Sequence, residues 1–235
     1  MIARPRRAAW AAALLSCMAL PAAAQEVPGL GATDTRQVVP ASRAPWNAVG
    51  EVEAAGNRCT GVLTGARVVA TAQHCLIDSS GRALVRPNEA TFRLGGRTAR
   101  VVAIQAGRGF DLATEQPWRS DWALLTLDTP LGDGRALRLA REPPREGTPL
   151  VLPGWQHDRP GELVADLRCR VLVMGTFGAQ GMLVGHNCAG TMGSSGAPLI
   201  ARDDTGAFVV VGVQAKAALG RSLGVAVPGF TIPLR

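Results

Sequence analysis

The segment GTMGSSGAPLI, residues 190–200, places a serine between glycines in a way that suits a nucleophile. Gly193 and Gly196 flank Ser195, and glycine accepts the positive φ angles that a sharp turn requires. In such a turn the N–H groups of Gly193 and Ser195 can point into one concavity, where each donor would stabilise a developing oxyanion by about 3 kcal/mol. The segment therefore predicts an accessible hydroxyl beside an oxyanion hole.

His74, in the pentapeptide TAQHC, is the candidate for the base that such a serine needs. A hydroxyl attacks poorly until a neighbouring group accepts its proton, and an imidazole that titrates near neutrality suits this task. The other two histidines fit structural roles, because His157 lies among turn-forming residues and His186 lies close to Cys188. We therefore predict that His74 is the general base.

Asp121, at the head of the apolar segment DWALLTL, is the candidate for orienting His74. A carboxylate buried there must find a hydrogen-bond donor, and the Nδ1–H of His74 would satisfy it while leaving Nε2 to face Ser195. Asp111 and Asp128 are alternatives, but both lie in turn-like segments where solvated aspartates are common. The chain order histidine, aspartate, serine is one of the known orders of this convergent arrangement.

Three segments together resemble the signatures of trypsin-like serine endopeptidases, the proteases of the chymotrypsin fold. They are CTGVLTGARVVATAQHC at 59–75, DWALLTL at 121–127 and GSSGAPLI at 193–200. A fourth segment, PGWQHDRPGELVADLRC at 153–169, resembles the exported bacterial branch related to the glutamyl endopeptidases. The resemblance implies hydrolysis of peptide bonds through an acyl-enzyme, with protein or peptide substrates and with no cofactor or metal.

Ser194 departs from the pattern of the digestive members of this family. In those enzymes an aspartate at this position receives the new N-terminus that activation cleavage creates. This chain has Ser194 instead, and no segment resembles the IVGG start of an activated protease. We therefore expect no activation through that ion pair, although removal of a short N-terminal arm by another route stays open.

The positions matching the family's primary specificity pocket carry small or uncharged residues: Ala189, Gly190, Gln214 and Ala215. Trypsin-type enzymes have an acid at the position of Ala189, so cleavage after Arg or Lys is not expected. The glutamyl enzymes hold the substrate carboxylate with a threonine and a histidine, where this chain has Gly190 and Gln214. Lys216 lies on the same strand and is expected to be solvated at the rim. The cleavage preference therefore stays open.

Short strands must position these residues, because the chain after residue 45 consists of brief apolar runs broken by Gly, Pro, Asp and Arg. Six candidate strands precede the segment REPPREG at 141–147: NAVGEVE, CTGVLTG, RVVAT, ATFRLG, ARVVAIQA and DWALLTL. Six follow it: TPLVLPG, ELVADLRCRVLV, GMLVGH, APLIA, AFVVVGVQAK and LGVAVPG. Their lengths and their Val, Leu and Ile content favour strands over helices. We predict an all-β fold of two six-stranded antiparallel β-barrels, residues 43–140 and 148–235, packed around a central active-site cleft.

The first 24 residues are typical of a secretory signal peptide. Arg4, Arg6 and Arg7 precede the apolar stretch AAWAAALLSCMAL, and small residues follow Pro21. This stretch is too short for a spanning helix, so we expect no stable membrane insertion and export to the periplasm or the medium. Residues 25–42 are polar and turn-rich, and we interpret them as an N-terminal arm or a short propeptide.

Four cysteines follow the signal peptide: Cys59, Cys75, Cys169 and Cys188. An oxidising compartment favours disulfides, and four cysteines allow three pairings. We predict that Cys59 pairs with Cys75 and Cys169 with Cys188, because this pairing closes two short loops that would each contribute about 3 kcal/mol. A zinc site is the alternative, but the chain has no C-x-x-C or H-x-x-x-H spacing.

The charge pattern argues against nucleic acid as a partner. The three signal-peptide arginines account for part of the formal charge of +7, and the remaining arginines form no basic stripe interleaved with aromatic residues. Two functional alternatives stay open: a protease-like fold that serves as a binding or adhesion module, and a latent zymogen held shut by residues 25–42. The oligomeric state is not encoded in any pattern we recognise.

Overall fold

The computed structural model describes residues 27–233, and the predicted signal peptide lies outside them. The strands are β1 (Arg36–Val38), β2 (Val49–Ala54), β3 (Asn57–Leu63), β4 (Val68–Thr71), β5 (Ala90–Leu94), β6 (Arg97–Ala106), β7 (Ala123–Leu127), β8 (Pro149–Trp155), β9 (Leu163–Thr176), β10 (Met182–His186), β11 (Pro198–Arg202), β12 (Phe208–Ala217) and β13 (Gly224–Pro228). Short 3₁₀ helices cover Trp46–Ala48, Gln73–Leu76, Pro87–Glu89, Trp118–Ser120, Gly178–Gln180 and Gly229–Thr231. Between residues 27 and 233 no helix has the length and apolar character needed to cross a membrane.

The first barrel closes through the strand order β2-β3-β4-β7-β6-β5, in which all neighbours are antiparallel. Its strands alternate between the interior and solvent, as β5 illustrates: Ala90, Phe92 and Leu94 are buried, whereas Arg93 is exposed. Full burial of a side chain such as that of Phe92 contributes about 1.5–3 kcal/mol. Closure also leaves no unpaired edge in the ring.

The second barrel has the order β8-β9-β10-β13-β12-β11 and closes through the pairing of β8 with β9. Each of the twelve predicted strands overlaps one of β2–β13, so the prediction of two six-stranded antiparallel barrels is confirmed. Strand β1 adds a further antiparallel neighbour outside the ring, on β9. It was not predicted, because three residues with only Arg36 buried carry no periodic signal.

Loops join the two barrels beside the cleft. The segment before β7 contacts the segment between β9 and β10, where the Trp118 N–H donates to Gln180 Oε1 at 3.0 Å. Arg119 Nη1 donates to the Ala179 carbonyl, also at 3.0 Å. These bonds fix the approach of the two barrels close to Asp121.

Both predicted disulfides are present. Cys59–Cys75 ties β3 to the 3₁₀ helix Gln73–Leu76, and Cys169–Cys188 ties β9 to the segment that follows β10. Each disulfide therefore lies next to a candidate site residue: Cys75 follows His74, and Cys188 precedes Ala189.

Candidate active site

His74 lies just beyond the end of β4, in the 3₁₀ helix Gln73–Leu76, and the disulfide at Cys75 fixes the neighbouring backbone. The Asp121 carboxylate binds both the main chain and the ring of His74. Its Oδ1 accepts the backbone N–H at 2.9 Å, and its Oδ2 lies 2.7 Å from Nδ1. The Asp121 side chain is 2% exposed and that of His74 is 16% exposed. This end of the imidazole is therefore withdrawn from water, and Nε2 is left for another partner.

Asp121 also acts on the protonation of His74. Burial acts to lower the pKa of His74, but the charge of the Asp121 carboxylate and its hydrogen bond outweigh burial and raise the pKa above the ordinary histidine value. Donation from Nδ1–H to Asp121 fixes the tautomer in which Nε2 can accept a proton. The pair therefore has the chemistry of an oriented base.

The two alternative aspartates belong to other hydrogen-bond networks. Asp111 Oδ1 accepts the backbone N–H of Ala113 at 2.8 Å, as in an ordinary turn. Asp128 accepts from the backbone and side chain of Arg100, with an ion-pair distance of 3.1 Å. Of the three aspartates considered from the sequence, Asp121 is the one that contacts His74.

Ser195 lies in a tight turn whose glycines adopt left-handed backbone conformations. The φ angle is +93° at Gly193 and +74° at Gly196, a region that residues with a side chain rarely occupy. A Cβ atom at position 196 would overlap the hydroxyl of Thr71, the last residue of β4. The serine turn is therefore seated against the strand that leads to His74.

Thr60, in β3, joins the serine turn to the first barrel. Its backbone N–H donates to the Ser195 carbonyl at 2.9 Å, and its hydroxyl donates to the Gly193 carbonyl at 2.7 Å. The same hydroxyl accepts the Trp155 N–H at 2.9 Å. Because Thr60 is fully buried, these bonds are shielded from water. One residue of the first barrel thus holds the serine turn of the second.

Two backbone donors in this turn have no acceptor in the described part of the chain. Among residues 27–233 the N–H groups of Gly193 and Ser195 donate to no protein group, whereas the Ser194 N–H donates to the Thr191 carbonyl at 2.9 Å. Ser195 is partly exposed, and free donors beside an accessible hydroxyl are what a developing oxyanion requires. Among the described residues the Ser195 hydroxyl makes no hydrogen bond to His74, whose ring is bound to Asp121. The contact between such a serine and its base often tightens only when substrate binds.

The four positions expected to line the specificity pocket are all buried: Ala189, Gly190, Gln214 and Ala215. The Gln214 side chain is engaged within the protein. Its Oε1 accepts from His186 Nε2 at 2.6 Å, and its Nε2 donates to the Lys216 carbonyl at 3.0 Å. The one polar side chain of this set is therefore turned inward.

His186 and His157 are both bound away from His74. Burial lowers the pKa of His186 to about 4, so its ring is neutral at ordinary pH and its Nδ1 accepts the Cys188 N–H at 3.2 Å. His157 Nε2 lies 2.8 Å from the Arg58 carbonyl. Neither ring is placed to accept a proton from Ser195.

Lys216 and Glu115 form an ion pair that crosses from one barrel to the other at the rim. The Nζ–Oε2 distance is 3.0 Å, and the two side chains are 50% and 39% exposed. Lys216 is therefore solvated as expected, with a carboxylate partner that the sequence did not reveal. A cavity of about 310 Å³ lies beside this pair, with Trp118 and Phe177 in its wall.

The sulfurs of Cys59 and Cys75 and a ring nitrogen of His74 lie within 4.8 Å of one another. Such a cluster resembles a metal site by distance alone. The two sulfurs are joined in a disulfide, and an oxidised pair offers no thiolate ligand. This cluster is therefore a structural disulfide next to His74, and not a set of metal ligands.

Two residues that contact the serine turn or the segment before it were not predicted from the sequence: Thr60, and Arg36, whose Nη1 donates to Thr191 Oγ1 at 3.1 Å. Thr60 is a polar residue inside an apolar strand directly after Cys59, and the need to satisfy a buried hydroxyl could have singled it out. Arg36 carries no comparable signal, because arginines are scattered along the chain. Its contacts become apparent only when residues distant in sequence are brought together.

Comparisons with known proteins bear on the family and the fold of the chain. The model of the trypsin family matches residues 33–234. Trypsin iota of Drosophila melanogaster is 31% identical over an alignment of 178 residues, and the match covers 67% of this chain and 69% of the fly protein. Among solved structures, a Glu endopeptidase in complex with MPD has a TM-score of 0.66 at 18% identity, covering 85% of this chain and 93% of the other. Human heparin binding protein has a TM-score of 0.62 at 19% identity, covering 83% and 91%.

At these identities the two structures show that the fold is shared, whereas the family match spans most of the chain. The protein is a serine endopeptidase and belongs to the trypsin family.

Proposed function

We propose that the protein is an exported endopeptidase whose catalytic triad is Ser195, His74 and Asp121, with the N–H groups of Gly193 and Ser195 as oxyanion donors. The observation that carries this proposal is the double hydrogen bond of Asp121 to His74, next to a serine turn with two N–H groups that donate to no group within residues 27–233. No other histidine or aspartate considered from the sequence combines these features.

The first half of the reaction forms an ester on Ser195. Its Oγ attacks the carbonyl carbon of the scissile peptide bond while His74 Nε2 accepts the hydroxyl proton. Asp121 stays ionised and stabilises the imidazolium through Nδ1–H. The oxygen of the tetrahedral intermediate binds the two free N–H groups, each worth about 3 kcal/mol. His74 then gives its proton to the leaving amine, and the acyl-enzyme remains.

The second half of the reaction releases the acyl group. Water enters, His74 removes one of its protons, and the resulting hydroxide attacks the ester carbonyl. The same two N–H groups stabilise the second tetrahedral intermediate. Collapse of this intermediate returns the proton to Ser195 Oγ and restores the starting enzyme.

We infer that the specificity pocket takes a small or uncharged side chain. Ala189 supplies no carboxylate for Arg or Lys, and the amide of Gln214 is already bound to His186. Cleavage-site profiling on a diverse peptide pool should therefore show preference for small or uncharged residues on the amino side of the cut. A dominant preference for Arg, Lys or Glu would contradict this reading.

We also propose that residues 1–24 direct export and that the mature chain begins at Gln25. Both disulfides support an oxidising destination. N-terminal sequencing of the protein recovered from the periplasm or medium tests this proposal. Recovery of the disulfide-free chain in the cytoplasm, with its first residues intact, would contradict it.

Covalent labelling tests the triad directly. A fluorophosphonate should label the wild type at Ser195, as mapped by mass spectrometry, and Ser195→Ala should abolish the label. Ser194→Ala is the matched control, because it removes the adjacent buried hydroxyl and should leave labelling intact. An unlabelled wild type that binds protein or polysaccharide without cleaving any peptide would instead identify a binding module.

A further inference from the structure

Arg36 is a buried cation in the N-terminal segment, residues 27–38. Its side chain is 1% exposed and pairs with Asp34 at 2.8 Å and Asp158 at 2.6 Å. Nη1 also donates to Gln156 Oε1 at 2.6 Å. The hydrogen bond from Arg36 is the main cause that holds the pKa of Asp34 at about 2, so this carboxylate stays ionised. These charge-assisted hydrogen bonds fix the position of the guanidinium and, equally, the positions of the side chains that accept from it.

This cluster reaches the segment that leads to the serine turn. Arg36 Nη1 donates to Thr191 Oγ1 at 3.1 Å, and the Thr191 hydroxyl donates to Asp158 Oδ1 at 2.6 Å. The Thr191 backbone N–H donates to Gln156 Oε1 at 2.7 Å. Thr191 precedes Gly193 by two residues, and its carbonyl accepts the Ser194 N–H. The guanidinium is therefore one hydrogen bond away from the segment that presents the two free donors.

Two further contacts of the N-terminal segment hold the residues just before Thr191. The Gly190 N–H donates to the Gly29 carbonyl at 2.9 Å, in a space so close that a Cβ on Gly29 would overlap the Gly190 carbonyl. The Ala189 N–H donates to Asp166 Oδ2 at 2.9 Å, and the same oxygen accepts the Thr35 hydroxyl at 3.0 Å. Ala189, Gly190 and Thr191, the three residues that lead into the serine turn, are thus bound by residues 29–36, either directly or through one intervening side chain.

We propose that Arg36 is a positioning residue for the oxyanion hole and that the segment carrying it, residues 27–38, is a permanent part of the active protease. The inference rests on the proposed function, because it concerns the donors assigned there. Ser194 has no carboxylate with which to form an ion pair behind the oxyanion turn. The ion pair beside this turn is made instead by the buried Arg36 with Asp158, whose side chain is 41% exposed, and the arginine comes from the chain's own N-terminal segment.

Two variants separate this role from simple folding. Arg36→Lys keeps the charge but loses the planar fork that reaches several acceptors at once. Thr191→Val keeps the shape and leaves every ion pair of Arg36 in place, while it removes the hydroxyl that links the cluster to the segment. Arg159→Ala is the matched control, because Arg159 pairs with Asp34 at 3.3 Å from the exposed side of the same cluster.

The measured quantities are kcat and KM, with the concentration of active enzyme determined by active-site titration. Loss of one oxyanion donor lowers kcat by about 10²–10³, so displaced donors in Arg36→Lys should lower kcat at least about tenfold with KM nearly unchanged. Thr191→Val should follow in the same direction with a smaller loss, and Arg159→Ala should match the wild type. A peptide boronic acid, whose tetrahedral adduct places an oxygen in the oxyanion hole, should lose affinity in parallel with kcat.

Several outcomes overturn the inference. If Thr191→Val and any folded Arg36→Lys protein keep kcat and boronate affinity within about twofold of the wild type, Arg36 does not position the donors. If intact-mass analysis of the fluorophosphonate-labelled wild type shows a chain that begins after Arg36, the segment is dispensable. An unlabelled wild type overturns the proposed function and this inference with it, whereas a labelled wild type with unaffected variants overturns this inference alone.

Discussion

The two halves of the proposed active site are held in different ways. His74 and Asp121 are bound to each other within the first barrel, with the Cys59–Cys75 disulfide at the next residue. The serine turn of the second barrel depends on groups from outside that barrel. Thr60 binds it from the first barrel, and Arg36 binds the preceding segment from the N-terminal part of the chain.

From this difference we expect that the proposed base and oxyanion donors can be damaged separately. A change at Asp121 should alter proton transfer without moving the serine turn. A change at Thr60 or Arg36 should move the donors without altering the tautomer of His74. The substitutions below use this separation, and the expected effects decrease from one to the next.

Asp121→Asn should cause the largest loss of activity. The amide keeps the shape of the side chain, but it favours the wrong tautomer of His74 and no longer stabilises the imidazolium. We expect kcat to fall by about 10⁴-fold with little change in the melting temperature. Asp128→Asn, at the aspartate paired with Arg100, should retain full activity. The assignment fails if the two variants lose activity equally when measured on the same peptide ester.

The pH profile of the wild type tests the same half of the site. The base works only when His74 is neutral, and Asp121 raises the pKa of His74. Activity should therefore fall as the pH drops through a value above the ordinary imidazole pKa of about 6.5. For one protonation, kcat/KM declines by about tenfold per pH unit on this limb. An acid limb that lies well below the ordinary value would show that Asp121 does not act on the reacting histidine.

Thr60→Val tests the external support of the serine turn. The variant loses the bond to the Gly193 carbonyl and leaves the N–H of the half-buried Trp155 without its acceptor, which costs about 1–3 kcal/mol of stability. We expect kcat to fall by about tenfold, less than the loss of a complete oxyanion donor. The acid limb of the pH profile should stay in place, because His74 keeps its partner. Thr98→Val, on an exposed position of β6, provides the control for removing a strand hydroxyl.

The sequence was most informative where one local pattern determines the outcome. Apolar runs of strand-like length predicted strands such as β5 and β7, and the glycines on either side of Ser195, which adopt positive φ in the structure, marked the serine turn. The contacts of Thr60 and Arg36 with the serine turn and the segment before it could not be found in this way, because the Gly193 and Thr191 groups that they bind lie more than 100 residues away in the chain. Strand β1 was missed for a similar reason, since it is a strand only through its pairing with β9. Local sequence patterns therefore predict strands and turns, whereas the contacts that Thr60 and Arg36 make with the site form only when distant parts of the chain come together in the folded protein.

Glu115→Gln should have the smallest effect and examines the place where the two halves meet. The ion pair with Lys216 crosses the rim between the barrels, and both side chains are well exposed, so its loss should change stability by less than about 1 kcal/mol. The variant still bears on His74, because the charge of Glu115 raises the pKa of His74 and that of Lys216 lowers it. Removing the acid leaves the lysine unopposed, so the acid limb of the pH profile should move to lower pH. Glu89→Gln removes an equal charge from another exposed ion pair and should leave the limb unmoved. An unmoved limb in Glu115→Gln would mean that the rim charges do not reach the base and that Asp121 raises the pKa of His74 without them, whereas a shift to higher pH would contradict the predicted sign.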